Sequence, residues 1–165
     1  HLCLNDEILF DYNTNSKVAP PIRSKANQKK LINAIKSGII DCIATDHAPH
    51  SIDDKETDIC SAACGMIGME TAFSLVYSTL KKEKIKTNTI LNLFSFNPSK
   101  IIGITPNPIV KNNEAEINII DCEKKWIFNE NNIKSMSKNT PLLGRKMKGK
   151  VEFTINKGFI SRHKD

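Results

Sequence analysis

"IIDCIATDHAPH", residues 39–50, decides how the rest of the chain is read. Residues 39–45 are short, apolar on both alternating faces and rich in β-branched side chains. That is the pattern of a strand in a parallel sheet covered by helices. The run stops at Asp46, and His47, Pro49 and His50 follow. Parallel α/β sheets bind ligands at the carboxyl ends of their strands, and a TIM barrel carries its active site on that same face. A carboxylate at Asp46 therefore projects into the mouth of such a sheet. There it can bind a hard or borderline metal ion and accept a proton from metal-bound water. His50 can lean over the same mouth and donate a hydrogen bond to an anionic substrate, with Pro49 restricting the loop between them. A plainer reading stands beside this one. An Asp after a strand is often only an N-cap or turn former, a lone loop His is usually solvated, and D-H-x-x-H is not a regular ligand spacing.

The neighbouring stretches extend the α/β pattern. "SKANQKKLINAIKSG" sets Leu31, Ile32 and Ile35 on one helical face, with Ser24 placed to cap its start and Gly38 its end. In "GMETAFSLVYSTLKKEK", Met69, Phe73, Val76 and Leu80 recur at helical spacing. A third helix begins near Asn88 and carries Ile90, Leu91 and Phe94. "FNPSKIIG" then restarts a short one, with Asn97 as cap, Pro98 in the first turn and Gly103 as the stop. Strand–helix alternation of this kind argues for α/β with parallel strands. Beyond "GITPNPIVKNN" the texture changes. "AEINIID" alternates strictly, "KKWIFN" follows a short gap, and "GKVEFTINKGFIS" sets Val151, Phe153 and Ile155 on one face before an Asn-Lys-Gly turn. These read as antiparallel strands with one wet face. The chain is thus expected to divide into an α/β part, residues 1–103, and a small β unit, residues 104–165.

Composition narrows the functional classes. The 165 residues carry a net charge of +6, but the lysines are scattered and only 6% of residues are aromatic. A nucleic-acid surface calls for a basic stripe with interleaved aromatics, so solvated faces account better for these lysines. No run approaches the ~20 apolar residues of a membrane span. The opening "HLCLNDEILF" has neither a basic n-region nor a start Met, and reads as a chain entered partway through. The five cysteines include no CxxC pair, and Cys60 and Cys64 form a C-x3-C with no second half. A zinc knuckle is therefore disfavoured, Cys42 in its apolar run reads as a buried thiol, and a reducing, cytoplasmic setting fits best.

Five segments together resemble the class I dihydroorotases of the amidohydrolase superfamily. "ATDHAPH" (44–50) is similar to that family's signature at the end of the eighth barrel strand, and "KVAPPIR" (17–23) resembles its seventh-strand segment. "GMIGMETAF" (65–73), "NPSKIIGI" (97–104) and "NTPLLGRKMKGKV" (139–151) resemble three later segments, in the same order and spacing. The resemblance covers essentially the whole chain. It implies an α/β fold that is the C-terminal portion of a (β/α)8 TIM barrel followed by a small antiparallel β unit, part of the amidohydrolase composite β-sandwich. It also implies a zinc-dependent enzyme, with one or two ions, that reversibly cyclises N-carbamoyl-L-aspartate to dihydroorotate in pyrimidine synthesis. A homodimer is compatible with it.

Residue by residue, the resemblance makes Asp46 a metal ligand and the proton-shuttling catalytic group, and His50 a substrate-binding residue. Gly65 becomes half of a backbone pair that contacts the pyrimidine ring. His47 matches the motif with a supporting role only. Two departures stand out: Ala19 replaces a typical Asn that contacts substrate, and Cys64 replaces a typical Phe beside Gly65. The family's H-x-H, its fourth-strand ligand, two further His and the Arg that grips the substrate carboxylate have no counterpart among the four histidines or elsewhere in the chain. The remaining zinc ligands are accordingly expected in a part of the protein that precedes this segment. Taken alone, the segment should be inactive and marginally folded, because two or three strands cannot close an eight-stranded barrel. Two alternatives remain open: a non-catalytic amidohydrolase-like scaffold, and a hydantoinase-type cyclic-amide hydrolase.

Overall fold

The computed structural model describes residues 1–163. Five helices precede the sheet: α1 (Lys25–Lys36), α2 (Ile52–Lys55), α3 (Met69–Lys82), α4 (Thr87–Phe94) and α5 (Phe96–Ile101). The sheet follows, with β1 (Glu116–Ile127), β2 (Lys146–Asn156) and β3 (Phe159–Arg162). α1 buries Ile32 and Ile35, one turn apart, while Leu31 beside them is partly exposed. Ser24 occupies the N-cap position, but its side chain makes no capping bond. At the other end Gly38 donates to the Ile35 carbonyl and Ile39 to that of Ala34, the paired bonds of a Schellman stop.

The strand expected over residues 39–45 is not formed. A strand exists only as a ladder, and no described segment lies alongside this one to pair with it. Its backbone is held by helix ends instead. Ile43 donates to the Leu93 carbonyl at the end of α4, and the Asn97 amide donates to the Asp41 carbonyl at 2.7 Å. Asn97 is therefore no cap; Ser95 takes that position on α5. Cys42, with no sheet on either side, is half-buried rather than buried.

α3 organises the interior. Val76, Tyr77 and Leu80 join Ile32, Ile35, Ile85, Ile90 and Leu93 in the main apolar cluster. Leu75 packs against a second cluster of Phe128, Leu142 and Met147. Met69 falls outside the buried stripe at 67% exposed, while Thr71 in the same first turn of α3 is buried at 2%.

Among the described residues there is one sheet, three-stranded and antiparallel in the order β1-β2-β3. "AEINIID" and "KKWIFN" belong to a single strand whose register slips between Asp121 and Lys125. The Asp121 carboxylate accepts from the Glu123 and Lys124 amides and holds that bulge. The expected turn joins β2 to β3 through Lys157 and Gly158, both at positive φ as a two-residue type I′ loop requires. The sheet docks on α3: Ser74 Oγ donates to the Gly149 carbonyl and Ser78 Oγ to that of Lys148.

Candidate active-site loops

Four segments meet around Asp46. The loop after residue 45 runs parallel to residues 65–67, bridged at His47 and Met66, and Ala48 donates to the Met66 carbonyl at 3.1 Å. Gly65 donates to the Lys17 carbonyl at 2.9 Å, which ties in residues 17–23. Asn139 reaches the same place from the far end of the chain. Its amide donates to the carbonyls of Ala48 and Gly65, and its oxygen accepts from the His50 backbone N–H.

Asp46 is exposed and adopts φ 48°, a left-handed conformation that Asp tolerates better than most residues. Its carboxylate takes no hydrogen bond among the described residues. It lines a cavity of about 350 Å³ together with His1, Ala19, Cys64 and Gly65. The two positions that depart from the dihydroorotase pattern, 19 and 64, therefore lie in the same cavity wall as Asp46.

His50 is not in that wall. Its imidazole Nε2 sits 3.1 Å from the Cys64 carbonyl, to which it donates, and the ring lines an adjacent cavity with Lys55 and Asn139. The ring nearly touches Gly65, where an added Cβ would stand 2.7 Å from His50 Nε2 and from Ala48 Cβ. Gly65 lies at φ +148°. Both of its backbone polar groups are engaged within the protein, the N–H by Lys17 and the carbonyl by Lys55 and Asn139. Gly65 therefore has no free hydrogen-bonding group for a ligand, and the space its missing side chain leaves is taken by His50 and Ala48.

His47 turns away from the cavity. Its Nδ1 accepts from the backbone amides of Gly68 and Met69 and caps α3, which makes Nε2 the protonated ring nitrogen. His1 Nε2 lies against the Pro20 carbonyl, and His163 is bonded to Thr154.

Two residues that the sequence reading passed over support these loops. Lys55 lies in the charged stretch "DDKETD", which reads as a solvated surface, yet it is only 3% exposed. Its ammonium donates to the carbonyls of Ala63 and Gly65 at 2.7 and 3.0 Å. Burial, with a smaller contribution from the Lys17 ammonium, holds its pKa below the usual lysine value. Asn139 opens the "NTPLLG" segment, whose likeness to a family motif carried no hint of a role for it.

No group of three or more His, Cys, Asp or Glu side chains among the described residues could hold a metal ion. A zinc site takes three or four protein ligands, and Asp46 is one carboxylate. The described residues of this chain do not make a zinc site by themselves.

Comparison with known proteins decides the relationship. Over 161 residues the chain is 42% identical to a dihydroorotase of Caldicellulosiruptor saccharolyticus, which covers 97% of this chain and 37% of the relative. Over 166 residues it is 42% identical to a dihydroorotase of a Thermoanaerobacter species, covering 100% of this chain and 38% of the relative. This chain is a dihydroorotase homologue. It spans less than two-fifths of the length of the curated dihydroorotases it matches. No protein-family model matches it. In fold it is similar to the L-hydantoinase (dihydropyrimidinase) of Arthrobacter aurescens, with a TM-score of 0.89 over 99% of this chain and 38% of that one, at 23% identity. A dihydropyrimidinase of Brevibacillus agri superposes with a TM-score of 0.85 over the same share of each chain, at 22% identity. The homologue thus shares an α/β fold with hydantoinase-type enzymes. Among its described residues no helix is long and apolar enough to cross a membrane.

Proposed function

We propose that this chain is the C-terminal part of a class I dihydroorotase, an enzyme that interconverts N-carbamoyl-L-aspartate and dihydroorotate. Residues 1–103 would supply the closing strands and helices of a (β/α)8 barrel, and residues 104–165 part of the small β unit beside it. Asp46 would be one ligand of a zinc centre whose other ligands lie outside this chain, and the group that carries the proton. Zinc, when bound, supplies a water acidic enough to be hydroxide near neutral pH. His50 and Gly65 would stand on the substrate side, His50 by hydrogen bonding and Gly65 as backbone in the wall of the Asp46 cavity.

The observation that carries this reading is the meeting of residues 17–23, 44–50, 64–67 and 139 at one place, with an unpartnered carboxylate at its mouth. A carboxylate at a cavity mouth with no protein donor is available to a ligand. The scaffold alternative draws on the absence of a complete ligand set and on Ala19.

The test uses the complete protein that carries this segment. Dihydroorotate ring opening and bound zinc are measured in the wild type and in Asp46→Asn. Loss of the general base should lower turnover about 10³-fold, within the range such groups contribute. Near-normal turnover in the variant removes Asp46 from the chemistry. A wild type that opens hydantoin but not dihydroorotate favours the hydantoinase-type alternative, and one that opens neither favours the scaffold.

A further inference from the structure

Outside Asp46, His50 and Gly65, the residue that touches the most of this site is Asn139. It is 5% exposed, and its side chain is fully used. Its two amide hydrogens go to the Ala48 carbonyl at 2.9 Å and the Gly65 carbonyl at 3.2 Å, and its oxygen accepts from the His50 N–H at 3.1 Å. Its own backbone carbonyl accepts from the Ile67 N–H at 3.0 Å. These bonds span 89, 91 and 74 residues of sequence for the three side-chain contacts.

The chemistry is specific to a carboxamide of this length. The site presents two carbonyls and one N–H, and asks for two donors and one acceptor on one side chain. A carboxylate would set negative charge against two carbonyls, an aliphatic side chain would leave the Ala48 carbonyl and the His50 N–H unpaired and the Gly65 carbonyl with Lys55 alone, and glutamine would be one methylene too long.

We propose that Asn139 is a positioning residue for substrate binding: it fixes the loop of residues 46–50 against the loop of residues 64–67, so that the Asp46 carboxylate and the cavity wall at Cys64 and Gly65 meet a bound substrate in one register. This rests on the dihydroorotase reading above. Asn139 touches no reacting group. It acts through the backbone of the two loops that do, and small displacements of substrate-holding groups are costly.

The experiment compares wild type, Asn139→Ala and Asn139→Ser in the complete protein. Steady-state kinetics with dihydroorotate are combined with amide hydrogen exchange at His50 and Ile67, and the folded fraction is checked by circular dichroism. The expected result for Asn139→Ala is a KM raised about tenfold or more, a kcat within about threefold of wild type, and faster exchange at the His50 amide. A residue that served only stability would lower the folded fraction and hence the apparent kcat, and leave KM unchanged; that result overturns the proposal. Faster exchange with unchanged KM also overturns it. If Asn139→Ala does not fold, Asn139→Ser is read by the same criteria, and failure of both to fold makes Asn139 a fold element and overturns the proposal. If the wild type does not turn over dihydroorotate, the functional reading falls separately. The substrate-positioning role falls with it, and the exchange data then decide only whether Asn139 ties the two loops: faster exchange at His50 in the variant shows that it does, and unchanged exchange that it does not.

Discussion

The His50 imidazole rests on the bare α-carbon of Gly65, so closely that a Cβ at that position would lie 2.7 Å from Nε2. The contact joins the loop that carries Asp46 to the loop that passes beneath the cavity. It is possible only because residue 65 has no side chain and can hold φ +148°.

Gly65→Ala should therefore destabilise the protein by about 1–3 kcal/mol, the usual cost of forcing a side chain into such a conformation. It should also push the His50 ring off the Cys64 carbonyl. Urea unfolding gives the first quantity, and the His50 ring resonances in a heteronuclear NMR spectrum report the second. An unchanged midpoint with unshifted His50 signals would show that the loops part without cost.

Lys55→Met removes the two bonds that the buried ammonium gives to the Ala63 and Gly65 carbonyls. The Gly65 carbonyl keeps the Asn139 amide, and the Ala63 carbonyl is left unpaired, which costs about 1–3 kcal/mol when such a group is buried. Relief from burying a charge works the other way, so the net loss should fall at the lower end of that range. It should appear as a lower urea midpoint with an unchanged slope. A variant at least as stable as wild type would mean that the ammonium costs more to bury than its bonds return.

His47→Ala strips α3 of its cap, because Nδ1 is the acceptor for the Gly68 and Met69 amides. Cap removal typically costs about 0.5–2 kcal/mol. Faster amide exchange at Gly68 and Met69 should accompany the loss. Protection that survives the substitution would show that another group satisfies those amides.

A pH-dependent latch sits at the start of α2. The Ser51 hydroxyl first, and its backbone N–H second, hold the Asp54 carboxyl below its ordinary value of 3.8. A depressed folded-state pKa means that this capping box is fully present above pH 3.8 and is lost as pH falls through the lower folded value. The Asp54 carboxyl signal should titrate below 3.8 in the wild type and move upward in Ser51→Ala. Titration at or above the ordinary value in the wild type would contradict the box.

Helix periodicity and turn chemistry were legible in the sequence because they depend on neighbours within a few residues. Ile32, Ile35, Val76, Leu80 and Ile90 are buried where the 3.6-residue pattern puts them, and Lys157-Gly158 makes its turn. The order of motifs over residues 17–151 carries the likeness to dihydroorotases in the sequence itself. Residues 39–45 show the limit of such reading. β-Branched, apolar residues state a preference for a strand, but a strand is a relation between two backbones, and the described residues offer this one no partner. The roles of Lys55 and Asn139 were equally hidden. One looks like surface charge and the other like a loop polar residue, and each gains its role only from carbonyls that folding brings beside it. Local composition fixes how a segment prefers to curl or extend. Which distant carbonyl a buried amide or ammonium must satisfy is decided by packing, since a polar group taken out of water has to find its partner wherever the chain has placed one.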